Sequence, residues 1–234
     1  MIGTAVNMLL ILIGSAIGLV FRSKIKKSIL DGLMAALGLA VLVIGISGAI
    51  RTEDMLCLII CLALGTVIGE CLKIEKQLDR AGNVFQRKLE RLTGNESNFT
   101  EGFVSATLLF CVGSMAVMGS LEAGVNNDYS ILISKGIIDG ATSVAFSAAM
   151  GIGVAFSAIS VGIYQGSLTL LASWAAPYLT PESITEMSAV GSVIIIGIGF
   201  NMIDIGKKLR VGNMLPAVFL PLIYIPLAEW ITNM

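Results

Sequence analysis

Residues 1–21 read MIGTAVNMLLILIGSAIGLVF. The stretch has no charged side chain, over a length that matches the bilayer's hydrocarbon core, which a helix crosses in about 20 residues. No basic residue precedes the apolar run and further apolar runs follow. It therefore reads as a first transmembrane helix and not as a cleaved signal peptide. The rest of the chain has the same character. Of 234 residues, 56% are hydrophobic and 13% charged, with mean hydropathy +0.90. Soluble domains carry roughly 25% charged residues, and a soluble fold of this composition would leave more apolar surface than it can bury. The expected fold is all-α, a polytopic helix bundle forming one integral membrane domain over 1–234.

Apolar windows long enough to span lie near 3–21, 30–50, 55–72, 102–121, 136–156, 158–177, 187–205 and 213–231. This gives about eight crossings. The region 136–177 admits two readings. It is either two spans with a turn within 156–160, or a kinked span plus a re-entrant half-helix. Basic residues orient the bundle, because cytoplasmic loops are enriched in Lys and Arg. Thirteen of the fifteen fall in loops 22–29, 73–101 and 206–212; only Arg51 and Lys135 fall on the other side. The expectation is a bundle with these loops in the cytoplasm and both termini outside. Segment 74–92 places Ile74, Leu78, Phe85, Leu89 and Leu92 at helical spacing among basic residues. It reads as an amphipathic cytoplasmic helix connecting two halves. The sequons at Asn95 and Asn98 would then be cytoplasmic and carry no weight.

Two weak self-similarities suggest inverted repeats. Residues 34–46, MAALGLAVLVIGI, resemble 187–199, MSAVGSVIIIGIG, after Asp31 and Glu186 respectively. Glu101-Gly102 with Ser105 resembles Asp139-Gly140 with Ser143. On the expected topology each pair runs in opposite directions, as inverted repeats do.

Several chemistries are excluded. There is no histidine, which removes His-based metal sites, Ser-His nucleophiles and His proton relays. No phosphate-binding GxxxxGK[ST] motif is present. Cys57, Cys61, Cys71 and Cys111 lack zinc spacing and read as small apolar residues. A net charge of −1 offers no pull on nucleic acid. No enzyme, cofactor or metal is expected. The bilayer is the evident partner, and homo-oligomerisation is left open.

What remains is polarity inside apolar spans, which must face protein or water. An amide needs several hydrogen-bond partners, so Asn7, Gln165 and Asn201 stand out. A binding site for a small solute or ion is expected from Asn7, Ser114, Asp139, Ser143, Gln165 and Asn201. Its cavity would lie between helices 102–121 and 136–156, with Asn7 at the outer rim. If movement is coupled to an ion, carboxylates must serve in the absence of histidine, and Glu70, Asp139 and Glu186 are the candidates. The GxxxG pairs Gly14/Gly18 and Gly65/Gly69 permit close helix approach. Gly151/Gly153 and Gly197/Gly199 mark places where a helix could unwind.

The stretches GTAVNMLLILIGSAIGL (3–19), FCVGSMAVMGSLEAG (110–124), SKGIIDGATSVAFSAAMGIGVAFSAISVGIYQGSLTLLA (134–172) and EMSAVGSVIIIGIGFNMIDI (186–205), with VGNMLPA after it, together resemble the bacterial YdfK and YqgA family of membrane proteins. The family shares a domain of unknown function. The resemblance implies an inner-membrane protein and assigns no functional residue. Function is then weighed between a small-solute or ion permease, secondary-active or channel-like, and a non-catalytic structural or regulatory membrane subunit that acts with a partner.

Overall fold

The computed structural model describes all residues except 23, 79, 81–98, 177–178, 205, 207 and 233–234. The described chain is helical, in the order α1 (Ile2–Arg22), α2 (Lys27–Ala49), α3 (Met55–Leu72), α4 (Phe99–Cys111), α5 (Ser114–Val125), α6 (Ser130–Met150), α7 (Gly153–Leu170), the single turn α8 (Ala172–Ala175) and α9 (Pro181–Ile203). A 3₁₀ helix (Val211–Phe219) and α10 (Pro221–Thr232) follow. No strand occurs among the described residues. Most of the amphipathic segment expected at 74–92 lies outside the described residues, though 74–78 are helical.

Among the described residues, seven helical segments are long and apolar enough to cross a membrane. The pair α4–α5 supplies an eighth crossing if counted as one span, bent by 60° at its break. The region 136–177 resolves into two helices, α6 and α7. The turn falls at Gly151-Ile152 and not within 156–160. Gly151 adopts φ 87°, a backbone conformation that glycine takes without steric cost. The other glycine run behaves differently. Gly197 and Gly199 lie within regular α9, packed on Val211 and Leu42. The last crossing changes from 3₁₀ to α at Leu220-Pro221, with Pro216 inside the 3₁₀ part, as a chain without those N–H donors requires.

The surface inverts the soluble pattern. Leu9, Leu39, Val43 and Ile59 are exposed, whereas Asn7, Ser15, Asp139 and Gln165 are buried. On α1 the buried positions Gly3, Asn7, Ile11, Gly14 and Gly18 form one stripe at helical spacing. The most enclosed span is α9, with 72% of its window buried against 17% in α2. Its Ile194 and Ile198 pack into one core with Ile11, Val41, Phe110 and Met150.

Glycine contacts fix the relative directions. On α1, Gly3 meets Leu132 and Gly18 meets Val144 and Ala148, so α1 and α6 run parallel. Gly162 of α7 meets Met8 while Gly166 lies near Met1, so α7 runs against α1. Gly153 meets Phe99 and Gly124 meets Thr169, which makes α4–α5 parallel to α7. Gly38 meets Met202 and Gly48 meets Ser192, so α2 and α9 are antiparallel. Gly65 and Gly69 likewise pack against Ala217 and Asn213 in antiparallel order. These directions are those of eight alternating crossings.

The pairs read as inverted repeats do run oppositely: α2 against α9, and α4 against α6. However, they match the second crossing with the seventh and the fourth with the fifth. A duplicated unit keeps the order of its helices, so one duplication cannot generate both pairs.

Candidate functional site

The α1–α6 pair carries the chain's most unusual side chains. Asp139 is the tenth residue of α6, so it is no helix cap; at 1.5 Å per residue it lies about 14 Å from the helix start. Lys135 is also inside α6 and not in a loop, which leaves Arg51 as the one basic residue on the sparsely charged side. Lys135 and Asp139 are four residues apart on one helix face, and both are only 5% exposed. The Lys135 ammonium donates to Asp139 Oδ2. Asn7 of α1 donates from Nδ2 to the same oxygen at 3.1 Å, and to Gln165 Oε1 of α7 at 3.3 Å. Asn7 and Gln165 are 0% exposed. Four side chains from three helices thus form one buried hydrogen-bonded cluster.

The face continues along α6. Ser143 and Ser147 extend the row at four-residue spacing, both buried. Ser143 Oγ donates to the Asp139 carbonyl oxygen at 2.7 Å. Beyond it, Arg22 donates to the Ala148 and Ala149 carbonyls at 3.3 and 2.6 Å, satisfying the end of α6. Between cluster and Arg22 the helices touch. A Cβ on Gly14 would overlap the Gly140 carbonyl oxygen, and one on Gly18 that of Val144. The GxxxG spacing therefore seals the seam on one side of the cluster.

The cluster is not self-satisfied. Asn7 Oδ1 and Gln165 Nε2 are buried without a hydrogen-bond partner among the described residues, as are Thr4 Oγ1 and Thr169 Oγ1. Thr4 stands one turn before Asn7 on α1, and Thr169 one turn after Gln165 on α7. Asn7 and Gln165 join α1 to α7, and each keeps one unmatched amide atom beside that hydrogen bond. A buried amide without its partner costs free energy on the order of 1–3 kcal/mol, so a polar occupant there would be stabilising.

A helix break borders the cluster. The Lys135 ammonium lies 5.9 Å from the Phe110 ring centroid, within cation–π range. Phe110 is the penultimate residue of α4, directly before the 60° bend. The end of α4 presents carbonyls with no continuing helix to receive them. Broken helices that turn such ends toward a polar site recur in membrane transporters.

The sequence-derived site is therefore brought together only in part. Asn7, Asp139, Ser143 and Gln165 meet, but Asn7 is at the centre and not at an outer rim. Ser114 opens α5 on the far side of the bend, half-buried. Asn201 is elsewhere. Its amide pairs with both backbone groups of Leu209 at 2.8 Å, closing the turn after α9. That turn borders a cavity of about 220 Å³ lined by Glu75, Glu101 and Lys208. Glu70 pairs with Arg210 at 2.8 Å on the surface, away from the cluster. Glu186 is buried but is bound by Thr52 Oγ1 at 2.6 Å and the amides of Glu53 and Asp54 at 2.7 and 3.2 Å. The expected cavity between the 102–121 and 136–156 helices is displaced. A pocket of about 170 Å³ lies instead between α4, α7 and the 3₁₀ helix, lined by Thr107, Cys111, Ser160, Tyr164 and Val218 among others. Lys135, Thr4 and Thr169 were not anticipated as site residues. The Lys-x-x-x-Asp spacing within an apolar segment was the available signal for Lys135.

A family model described as "Protein of unknown function (DUF554)" matches residues 2–225. The chain belongs to this family. It is 32% identical over 225 residues to the uncharacterized membrane protein YdfK of Bacillus subtilis (strain 168), covering 94% of each chain. It is 30% identical over 223 residues to the uncharacterized protein YqgA of Escherichia coli (strain K12), again covering 94% of each. No solved structure matches it. Membership in the DUF554 family, the membrane-protein relative and the exposed apolar helices together make this a multi-pass membrane protein.

Proposed function

We propose that this DUF554 protein is a permease of the bacterial inner membrane, secondary-active or channel-like. It would move a small solute or ion through the Asn7–Lys135–Asp139–Gln165 cluster. The observation that carries this reading is the cluster itself: a buried charge pair and two amides, partly unsatisfied, inside an apolar bundle. Interhelical glue needs no charge and leaves no orphaned amide. The broken helix α4–α5 beside the cluster and the close α1–α6 seam as a barrier support this reading. No catalytic role is assigned, and the substrate enters and leaves unchanged.

Orientation is part of the proposal. With the basic loops inside, both termini are outside and the cluster lies in the outer half, above the Gly14/Gly18 barrier. A reporter fused after Met234 should register on the outer face; a cytoplasmic signal would reverse the assignment. Purified protein in liposomes, screened with labelled inorganic ions, amines, amino acids and small carboxylates, should show flux that Asp139→Asn and Gln165→Leu abolish without unfolding the bundle. Equal flux in folded variants would remove the cluster from the path. A stoichiometric partner retained through purification, with no flux from the isolated chain, would favour the structural-subunit reading.

A further inference from the structure

The cluster's attractive groups are mostly those that suit a positive charge. Asp139 offers a carboxylate. Asn7 Oδ1 is a fully buried carbonyl oxygen with no donor. The Phe110 ring presents its face 5.9 Å from the Lys135 ammonium. The C-terminal end of α4, where Phe110 lies, carries the negative pole of that helix. One described cation, Lys135, meets Asp139 and the Phe110 ring; it is attached to the protein and leaves Asn7 Oδ1 unmatched.

We propose that the Lys135 ammonium holds the place of a transported monovalent cation, which binds Asp139 and Asn7 Oδ1 when Lys135 withdraws. This rests on the permease reading and names the class of its substrate or coupling ion. The geometry permits withdrawal. Lys135 is five residues from the first residue of α6, about 8 Å along the axis. Its four-carbon stem can carry the ammonium toward the helix end, as lysines near span ends do. Withdrawal alone strands a buried carboxylate, an outcome far costlier than breaking a surface pair. Cation entry and lysine exit are therefore linked: each is favourable only with the other. The site suits a small cation that an amide oxygen and a carboxylate can strip of water, such as an alkali ion, ammonium or methylammonium. Gln165 Nε2, a donor, is left to water that enters with the ion. Divalent ions are disfavoured, because one carboxylate with one carbonyl is a sparse ligand set for them.

The test is binding, read by thermal unfolding of purified full-length protein in detergent. Lithium, sodium, potassium, ammonium and methylammonium chlorides are compared with choline chloride at equal ionic strength. Lys135→Met vacates the site. In choline it should melt below the wild type, and at least one small cation should restore it, half-saturating at a concentration about tenfold or more below that needed by the wild type. Adding Asp139→Asn to this variant should abolish the response. Lys135→Gln, which keeps a polar head, serves if the methionine variant does not fold. If no small cation differs from choline in either variant, the assignment is overturned. That result leaves the permease reading standing if liposomes still carry another solute. Conversely, binding without any flux would retain the cation site and refute transport.

Discussion

Two helix pairs organise this molecule, and each encloses a carboxylate. On the α1–α6 side Asp139 is 5% exposed; beside the α2–α9 pair Glu186 is 3% exposed. By burial alone they are equivalent, but their partners differ. Glu186 accepts one hydroxyl and two backbone amides from residues 52–54, all three at the turn joining α2 to α3. It fastens that turn to α9. Asp139 is held by the side-chain ends of Lys135 and Asn7, and the amide that holds it is itself incompletely bonded. A buried acid held by backbone is a staple. One held by side chains with spare bonding capacity has room to exchange partners. The identity of the donors, and not burial, separates a candidate site from a structural fixture.

The largest expected effect breaks the Asp139 side. Lys135→Met should cost about 3–5 kcal/mol in choline buffer, because it leaves an uncompensated buried charge. Removing the charge as well, in Lys135→Met with Asp139→Leu, should recover much of that loss. Chemical denaturation in detergent measures both. A loss below about 1 kcal/mol for the single variant would mean that Asp139 has another counter-charge.

An intermediate effect is expected at the other acid. Glu186→Ala leaves the Thr52 hydroxyl and two amides without their acceptor, at a cost of about 1–3 kcal/mol. Flux should persist in the folded fraction. Lost flux at unchanged stability would move Glu186 from fixture to path and erase the contrast.

Most of the fold was legible in the sequence because membrane helices are specified by length and apolarity alone. Span 55–72 coincides with α3, and the Gly14/Gly18 and Gly65/Gly69 pairs do pack against neighbours. The break at 112–113 was hidden, since VGS within an apolar run has the composition of an ordinary span. The start of α6 was misjudged for a related reason. A hydropathy window excludes Lys135 as too polar, although its partner Asp139 four residues on removes that objection. The site was legible only where a residue's own chemistry demands partners, as for Asn7 and Gln165. Asn201 met that criterion equally, but its demand is answered by the backbone of Leu209, a contact set by the chain's turn after α9. Single-residue polarity marks the need for partners, and the fold decides who they are.

The smallest expected effects compare glycines on α2. A Cβ on Gly45 would stand 2.8 Å from the Ser192 carbonyl oxygen, whereas one on Gly32 meets nothing within 4 Å. Gly45→Ala should cost about 1–3 kcal/mol through overpacking. Gly32→Ala should be neutral or stabilising by up to about 1 kcal/mol, from helix propensity. Equal responses would mean that α2 and α9 separate readily.

The most direct test sets the two acids side by side in one assay. Wild type, Asp139→Asn and Glu186→Gln are reconstituted at matched density, and currents are recorded on a supported membrane after jumps of sodium, potassium, ammonium or methylammonium chloride. The expected result is a current in the wild type, retained in Glu186→Gln and lost in Asp139→Asn, with all three proteins folded. A current that survives in Asp139→Asn and vanishes in Glu186→Gln would contradict the assignment of the α1–α6 cluster as the path.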